Sequence, residues 1–380
     1  MRVLEVTGTF PVPPEGGLEV AVLSLTRELS RLGVSVRIVA ATDLHKNVQS
    51  DGFKVIGLPS IGLTKWVRVP RPKSLVAIHQ AILQADVVHI HNPQELFNLV
   101  AAILTLLSGK PLCLSLLSPG TLHRHPTKLF RLPGRIVDGC LRALIRRSSF
   151  VQVKNQIDYA TVCGLNSNTR MVPDGVPDEL FSAQSGGDAF KARYHLEGQE
   201  PILLFAGRLH PLKGPDHLVR VLPILIERFP GVVAVIAGPD SSSMTPNLNR
   251  LAKELGVEAR VKIVGCLDEK EKIAAIDAAS LIVVPSLADF VEGFSIIASE
   301  AWARGKPVVG YPSGALKTRI VDGRNGALAL AVSVPELADA VARALVMGPI
   351  LPVEDVVLWS KVAQQILEAY SGIIGVRWVP

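Results

Sequence analysis

The sequence predicts an α/β protein made of two doubly wound, Rossmann-like domains facing a cleft. Three observations carry that expectation. Short apolar runs alternate with amphipathic helical patterns along the chain, the signature of a parallel sheet covered by helices on both faces. The alternation stops at a small, polar, turn-rich segment, S-A-Q-S-G-G at residues 182–187, and then restarts. The 380 residues suffice for about two domains, each with its own core. The expected domains are residues 1–182 and 188–355, with a last helical stretch, 356–380, packing back on the first domain.

In order, strands are expected at residues 2–7, 34–40, 55–58, 87–90, 112–117, 150–153 and 170–172. A Pro/Gly loop at 11–17 opens an amphipathic helix over 18–32 that Gly33 ends. The most apolar run, 96–117, is broken by Lys110 and Pro111 and reads as a helix followed by a strand, too interrupted to span a bilayer. After the turn-rich segment, strands are expected at 202–206, 232–237, 261–264, 281–284 and 307–309. Sheets of this kind bind ligands in the loops at the carboxyl ends of their strands.

Apolar residues make up 48% of the chain and charged residues 19%, which excludes a disordered protein. The chain enters a strand at once, M-R-V-L-E-V-T-G, so no secretory leader is expected. Cys113, Cys140, Cys163 and Cys266 are far apart with no C-x-x-C pair, which suits a reduced, cytoplasmic protein without structural zinc. The net charge of +6 is uneven: residues 1–190 hold 20 Lys+Arg against 14 Asp+Glu, and residues 191–380 hold 20 of each. Lys65, Arg68, Arg71 and Lys73 form one basic cluster; Arg124, Lys128, Arg131, Arg135, Arg142, Arg146 and Arg147 form another. Such a face can meet an anionic partner, including a membrane surface, or be ordinary solvated surface. No aromatic residues interleave the clusters for stacking bases, so nucleic acid is not an expected partner.

Three stretches can carry chemistry. G-R-L-H-P-L-K-G, Gly207 to Gly214, follows a strand and opens a helix, offering Arg208, Lys213 and a helix N-terminus to an anion such as a diphosphate. In V-E-G-F-S-I-I-A-S-E-A-W-A-R-G-K-P-V-V-G, Glu292 precedes a helix entered through Gly293, Phe294 and Ser295, and Glu300 lies inside it. The loop from Gly8 to Gly17 ends in the pair Gly16-Gly17, which permits close backbone approach to a ligand or serves as a plain tight turn. The dinucleotide fingerprint G-x-G-x-x-G is absent from that loop, which disfavours a Rossmann oxidoreductase.

Together these stretches resemble the retaining, nucleotide-sugar-dependent glycosyltransferases of the GT-B fold, the group 1 type. G-R-L-x-x-x-K-G is followed about eighty positions on by E-G-F-S-x-x-x-x-E-A. M-V-P-D-G-V-P-D-E-L-F from Met171 to Phe181 is similar to the family's I-P-N-G-V-D signature, with Asp174 in place of Asn. Gly16, Gly17 and Glu19 match a G-G-x-E loop, and Gly305-Lys306-Pro307-Val308-Val309 matches a G-x-P-V-V strand.

The resemblance implies a cytoplasmic transferase of the hexosyltransferase type, with a UDP- or GDP-sugar as co-substrate and no cofactor. Arg208 and Lys213 would neutralise the donor diphosphate without a divalent metal, in keeping with the absence of a D-x-D carboxylate pair. Glu300 would hold the ribose hydroxyls. Glu292 and the backbone N–H groups of Gly293, Phe294 and Ser295 would meet the donor sugar or its phosphate. Gly16 and Gly17 would close on the diphosphate, and the loop containing Cys266 and Leu267 would take the base. The first domain would hold the acceptor, a glycan or lipid-linked glycan, with peripheral association to an anionic membrane as the reading of its charge. One position departs from the family pattern: Ser118 or Pro119 stands where a His is expected. His123 is then the candidate on the acceptor side, with His125 beside it, while His89 and His91 end the preceding strand. The same fold also serves nucleotide-sugar epimerases and sugar phosphorylases, and a non-catalytic sugar- or nucleotide-binding protein is a further alternative.

Overall fold

The computed structural model describes residues 1–10, 16–42, 46–50, 53–62, 68–119, 131–347, 350, 353–354 and 356–375. The chain forms two compact units, one containing Met1–Gly175 and the chain from Trp359 on, the other Val176–Leu358. The division differs from the expected one. Residues 182–187 are not a linker: α6 (Glu179–Ser182) and α7 (Gly187–Tyr194) flank them inside the second unit. A Cβ on Gly186 would lie 2.8 Å from the Ala274 methyl, and one on Gly187 would lie 3.0 Å from the Ala278 nitrogen. These glycines serve close packing rather than flexibility.

In the first unit the strands are β1 (Arg2–Thr9), β2 (Ser35–Thr42), β3 (Lys46–Ser50), β4 (Phe53–Gly62), β5 (Arg68–Pro70), β6 (Val87–His91), β7 (Leu112–Ser115), β8 (Phe150–Val153) and β9 (Thr169–Met171). Among the described residues the sheet runs β3-β4-β2-β1-β6-β7-β8-β9, with β5 also on β4. It is parallel except where β3 and β5 pair with β4. Helices α1 (Gly17–Arg31), α2 (Pro72–Gln84), α3 (Leu96–Leu107), α4 (Arg131–Arg147) and α5 (Gln156–Val162) connect the strands. The C-terminal helix α14 (Trp359–Ile374) closes this unit, and Gly175 has no room for a Cβ because the Trp359 nitrogen would be 2.6 Å away.

A row of polar side chains crosses this sheet in register: Glu5 on β1 pairs with His89 on β6, and His89 with Cys113 on β7. Tyr370 of α14 covers the row, with its hydroxyl 2.6 Å from His89 Nδ1 and donating to Glu5 Oε1 at 3.3 Å. His91 Nε2 makes a very short hydrogen bond to Glu5 Oε2. All five residues are buried. This network gives α14 a fixed seat, because each group would lose its partners if the helix left. Glu5, His89 and His91 are the metal-type ligands brought together among the described residues.

The second unit has β10 (Ile202–Ala206), β11 (Val233–Ala237), β12 (Val261–Gly265), β13 (Leu281–Val284), β14 (Val308–Gly310) and β15 (Gly326–Leu328) in the order β12-β11-β10-β13-β14-β15. All of these pairings are parallel. Helices α8 (Pro215–Ile226), α9 (Thr245–Glu254), α10 (Glu269–Ala278), α11 (Ile296–Ala303), α12 (Leu316–Arg319) and α13 (Val334–Leu345) complete it. One core cluster lies on each face of the sheet, as parallel sheets require. The chain winds outward from β10 in one direction through β11 and β12, and in the other from β13 through β15. The switch point between β10 and β13 is where such a sheet opens a ligand crevice.

Burial holds the imidazoles of His89 and His91 at a pKa of about 3, against 6.5 ordinarily. The unfolded chain therefore binds protons between about pH 6.5 and pH 3 that the native chain does not, and stability falls as pH falls through that window. Burial raises the Glu5 carboxyl, which acts in the opposite sense, one group against two. Urea midpoints should drop on acidification, and a His89→Gln, His91→Gln double variant should show a shallower dependence; parallel curves would contradict this assignment.

Candidate active site

The site in the second unit is assembled by the loops that leave β10, β13 and β14. After β10 the chain passes Gly207 and Arg208 and makes a single 3-10 turn, Pro211–Lys213, whose first N–H groups are capped when His210 Nδ1 accepts from the Leu212 N–H at 3.1 Å. Gly214 then takes a left-handed conformation (φ 66°) and Pro215 starts α8. Only glycine fits there, since a Cβ would sit 2.3 Å from the Pro285 carbonyl oxygen. That contact seats the β10 loop on the β13 loop, and the Leu287 N–H donates to Leu212 O at 2.9 Å.

The result brings together two residues seventy-nine positions apart. Lys213 Nζ lies 2.5 Å from Glu292 Oε1, and Ser286 Oγ donates to the same oxygen at 2.6 Å. Glu292 is buried, whereas the Lys213 side chain keeps 24% of its exposure. The β14 loop holds the other side: the Ala315 N–H donates to Glu292 O at 2.8 Å and the Gly314 N–H to Asp289 Oδ1 at 3.0 Å. Asp289 also pairs with Lys317 at 2.7 Å. Gly314, at φ 50°, leaves no room for a side chain against the Glu292 and Asp289 carbonyls.

Glu292 precedes the helix, as the spacing predicts, and Ser295 is its N-cap. Ser295 is left-handed (φ 71°, ψ 78°), a conformation that costs a residue with a Cβ about 1–3 kcal/mol. Its hydroxyl is buried without a hydrogen-bond partner. Glu300 lies on the buried side of α11 and is paired with Lys272 of α10 at 2.7 Å. Burial raises the Glu300 carboxyl and the Lys272 ammonium opposes that rise; the same pair holds Lys272 well above the usual lysine range despite its own desolvation. Lys272 stands in α10, which begins with a capping box between Asp268 and Glu271 directly after Gly265, Cys266 and Leu267. The helix that follows the expected base loop is thus joined to the expected ribose acid by one ion pair.

The structure therefore gathers Arg208, Lys213, Glu292, Gly293, Phe294, Ser295, Glu300, Cys266 and Leu267 into one unit, on the loops at the carboxyl ends of its strands or the helices those loops open. Gly16 and Gly17 belong to the first unit, at the entry to α1. His123 lies outside the described residues. His89 and His91 are internal to the Glu5–Tyr370 network. Asp174, which replaces the family's Asn, forms a buried ion pair with Lys154 at 2.7 Å. Sequence reasoning missed Ser286, Lys272 and Arg319. Lys272 sits in D-E-K-E-K, a run that reads as a solvated helix face, and Arg319 stands in a four-residue helix with no periodicity to read.

Two α/β units with parallel sheets of this order make a GT-B protein, and the solved structures agree on the fold. Sucrose-phosphate synthase from Thermosynechococcus elongatus superposes with a TM-score of 0.77 at 19% identity, covering 98% of this chain and 99% of that one. HepE from Anabaena, solved in complex with UDP and glucose, gives 0.75 at 18% identity, covering 98% and 99%. The Glycosyl transferases group 1 family matches residues 188–351, and the Glycosyl transferase 4-like domain matches residues 16–155. D-inositol 3-phosphate glycosyltransferase 2 from Catenulispora acidiphila is 31% identical over 361 residues, 86% of this chain and 81% of the relative. A D-inositol 3-phosphate glycosyltransferase from Mycobacteroides abscessus is 29% identical over 393 residues, covering 94% and 85%. The chain belongs to the group 1 glycosyltransferase family, and it is a glycosyltransferase.

Removing one member of a buried ion pair strands the other charge, at a cost of about 3–5 kcal/mol. Lys272→Met should lower unfolding stability by about that amount, and adding Glu300→Gln should recover part of it. Strictly additive losses in urea unfolding would contradict the pairing.

Proposed function

We propose that this protein is a metal-independent, retaining glycosyltransferase that takes a nucleotide sugar, of the UDP or GDP type, in its second unit. The observation that supports this best is the Lys213–Glu292 pair, with Arg208 on the same loop, where the β10 and β13 loops meet. Departure of a nucleoside diphosphate leaves negative charge on phosphate oxygens, and cations already in position stabilise that charge without reorganising. Lys213 is well suited to this: it is held by Glu292 yet keeps part of its surface in solvent, so its ammonium can turn to an incoming phosphate. Arg208 supplies a planar, bidentate donor. With two cations at the diphosphate, no step needs a divalent ion.

Glu300 serves the ribose, with Lys272 maintaining its ionised form against burial. The loop at Cys266 and Leu267 takes the base. Glu292 and the backbone of Gly293, Phe294 and Ser295 face the sugar and its phosphate. The two named inositol-phosphate relatives support a transferase whose acceptor carries an anionic group. The first unit offers positive charge for it: Arg135, Arg142, Arg146 and Arg147 are exposed on α4, beside the exposed Ile136. That combination of cations and an apolar side chain also suits peripheral contact with anionic lipid. No helix among the described residues is long and apolar enough to cross a membrane.

Thermal shift with UDP, GDP, UDP-glucose and GDP-mannose should stabilise the protein selectively with one base, equally in the presence of EDTA. Arg208→Ala or Lys213→Ala should remove the shift and lower turnover by about 10²–10³-fold. A shift abolished by EDTA would overturn metal independence, and no shift with any nucleotide would overturn the donor site. In vesicle sedimentation, anionic lipid should retain the protein more than neutral lipid does, and replacing the four α4 arginines by Gln should abolish the difference; equal sedimentation of the wild type would remove the membrane reading.

A further inference from the structure

Arg319 ends α12, in a position that neither the motifs nor the family pattern assigns to the reaction. Its guanidinium is buried, with the residue 5% exposed. Its central carbon lies over the Phe294 ring, 3.7 Å from the centroid, and 4.9 Å from that of Trp302. The fork is spent on the entry to α11: Nη1 donates to Phe294 O at 2.5 Å and to Ser295 O at 3.1 Å, and Nη2 donates to Ser299 Oγ at 2.7 Å. The backbone behind it is anchored as well. Asn325 Nδ2 donates to Arg319 O at 2.8 Å, and Trp302 Nε1 donates to Asn325 O at 2.8 Å.

These contacts fall on the one strained turn of the site. Ser295 is left-handed and its buried hydroxyl lacks a partner, so nothing in the turn itself favours the conformation. Two carbonyls pulled toward one side by Arg319 turn the peptide N–H groups of the same turn to the opposite side. A charged fork with two carbonyl acceptors and a ring beneath it opposes that strain, since hydrogen bonds from a charged donor are the stronger ones. A lysine cannot reach both carbonyls and the Ser299 hydroxyl at once.

We propose that Arg319 is a positioning residue of the donor site, holding the Phe294–Ser295 turn so that its N–H groups are preset for the terminal phosphate of a nucleoside diphosphate. The proposal rests on the donor-site reading above and adds to it a residue that does not touch the donor. The consequence is specific: loss of Arg319 weakens recognition of the second phosphate and leaves recognition of the nucleoside and first phosphate, which depends on other loops.

Isothermal titration of the full chain with UDP and with UMP tests this. The wild type should bind UDP more tightly than UMP. In Arg319→Met that preference should shrink about tenfold, with UMP affinity changed by less than about twofold and the circular dichroism spectrum retained. Millimolar guanidinium chloride should restore part of the preference in the variant by refilling the fork's place. Equal weakening of both ligands, or no change in either, would overturn the proposal by reducing Arg319 to a packing residue. Should Arg319→Met not fold, Arg319→Lys, which keeps the buried cation but not the fork, carries the same expectation. Failure of the wild type to bind either nucleotide would instead remove the donor-site reading, and this proposal with it.

Discussion

The close approach of the β10 loop to the β13 loop, fixed by Gly214 against the Pro285 carbonyl, is the constraint on which the site depends. A Cβ at 214 would sit 2.3 Å from that oxygen, about 1 Å inside an ordinary contact, so any side chain there forces apart the loops that hold Lys213 against Glu292. The sheet order supplies the rest. Because β10 and β13 are neighbours at the switch point, loops far apart in sequence leave the sheet side by side, and their contents meet without a long excursion.

Charge in this molecule is paired in compartments. In the second unit, Lys213 with Glu292 and Lys272 with Glu300 each join a different loop or helix to α11 or its entry; in the first, Lys154 with Asp174 and the Glu5–Tyr370 network join strands to one another and to α14. Buried pairs of this kind contribute little net stability compared with well-packed apolar residues, but breaking one is costly. They are therefore better understood as devices that fix which elements lie together. Lys213 and Lys272 keep 24% and 20% of their side-chain exposure, unlike Lys154 at 2%, and that solvent access suits Lys213 to exchange partners with a ligand.

Much of this was legible in the sequence. The strands at 150–153, 202–206 and 281–284 have the expected limits because continuous β-branched and Leu-rich runs bounded by polar turns leave little choice. β3 and β5, short antiparallel additions at the edge, carry no such run and were missed, as was the three-residue β15. The motif glycines pointed to the right loops, since a positive φ or a close approach is a demand that sequence displays openly. The residues 182–187 misled for the same reason: glycines required for tight packing against α10 look like those of a flexible linker. Lys272 and Arg319 were invisible because burial of a cation is decided by partners that arrive from elsewhere in the fold. Asp174 read only as a departure from a pattern; Lys154 at its side explains how a buried carboxylate is tolerated there.

The most direct test of the account is a crystal structure of the full chain with UDP-glucose. The account predicts the diphosphate against Arg208 and Lys213, the ribose on Glu300, the base beside Cys266 and Leu267, and Lys213 turned from Glu292 toward phosphate. A nucleotide bound anywhere else, or bound here with the Lys213–Glu292 pair intact and no cation on the diphosphate, would contradict it.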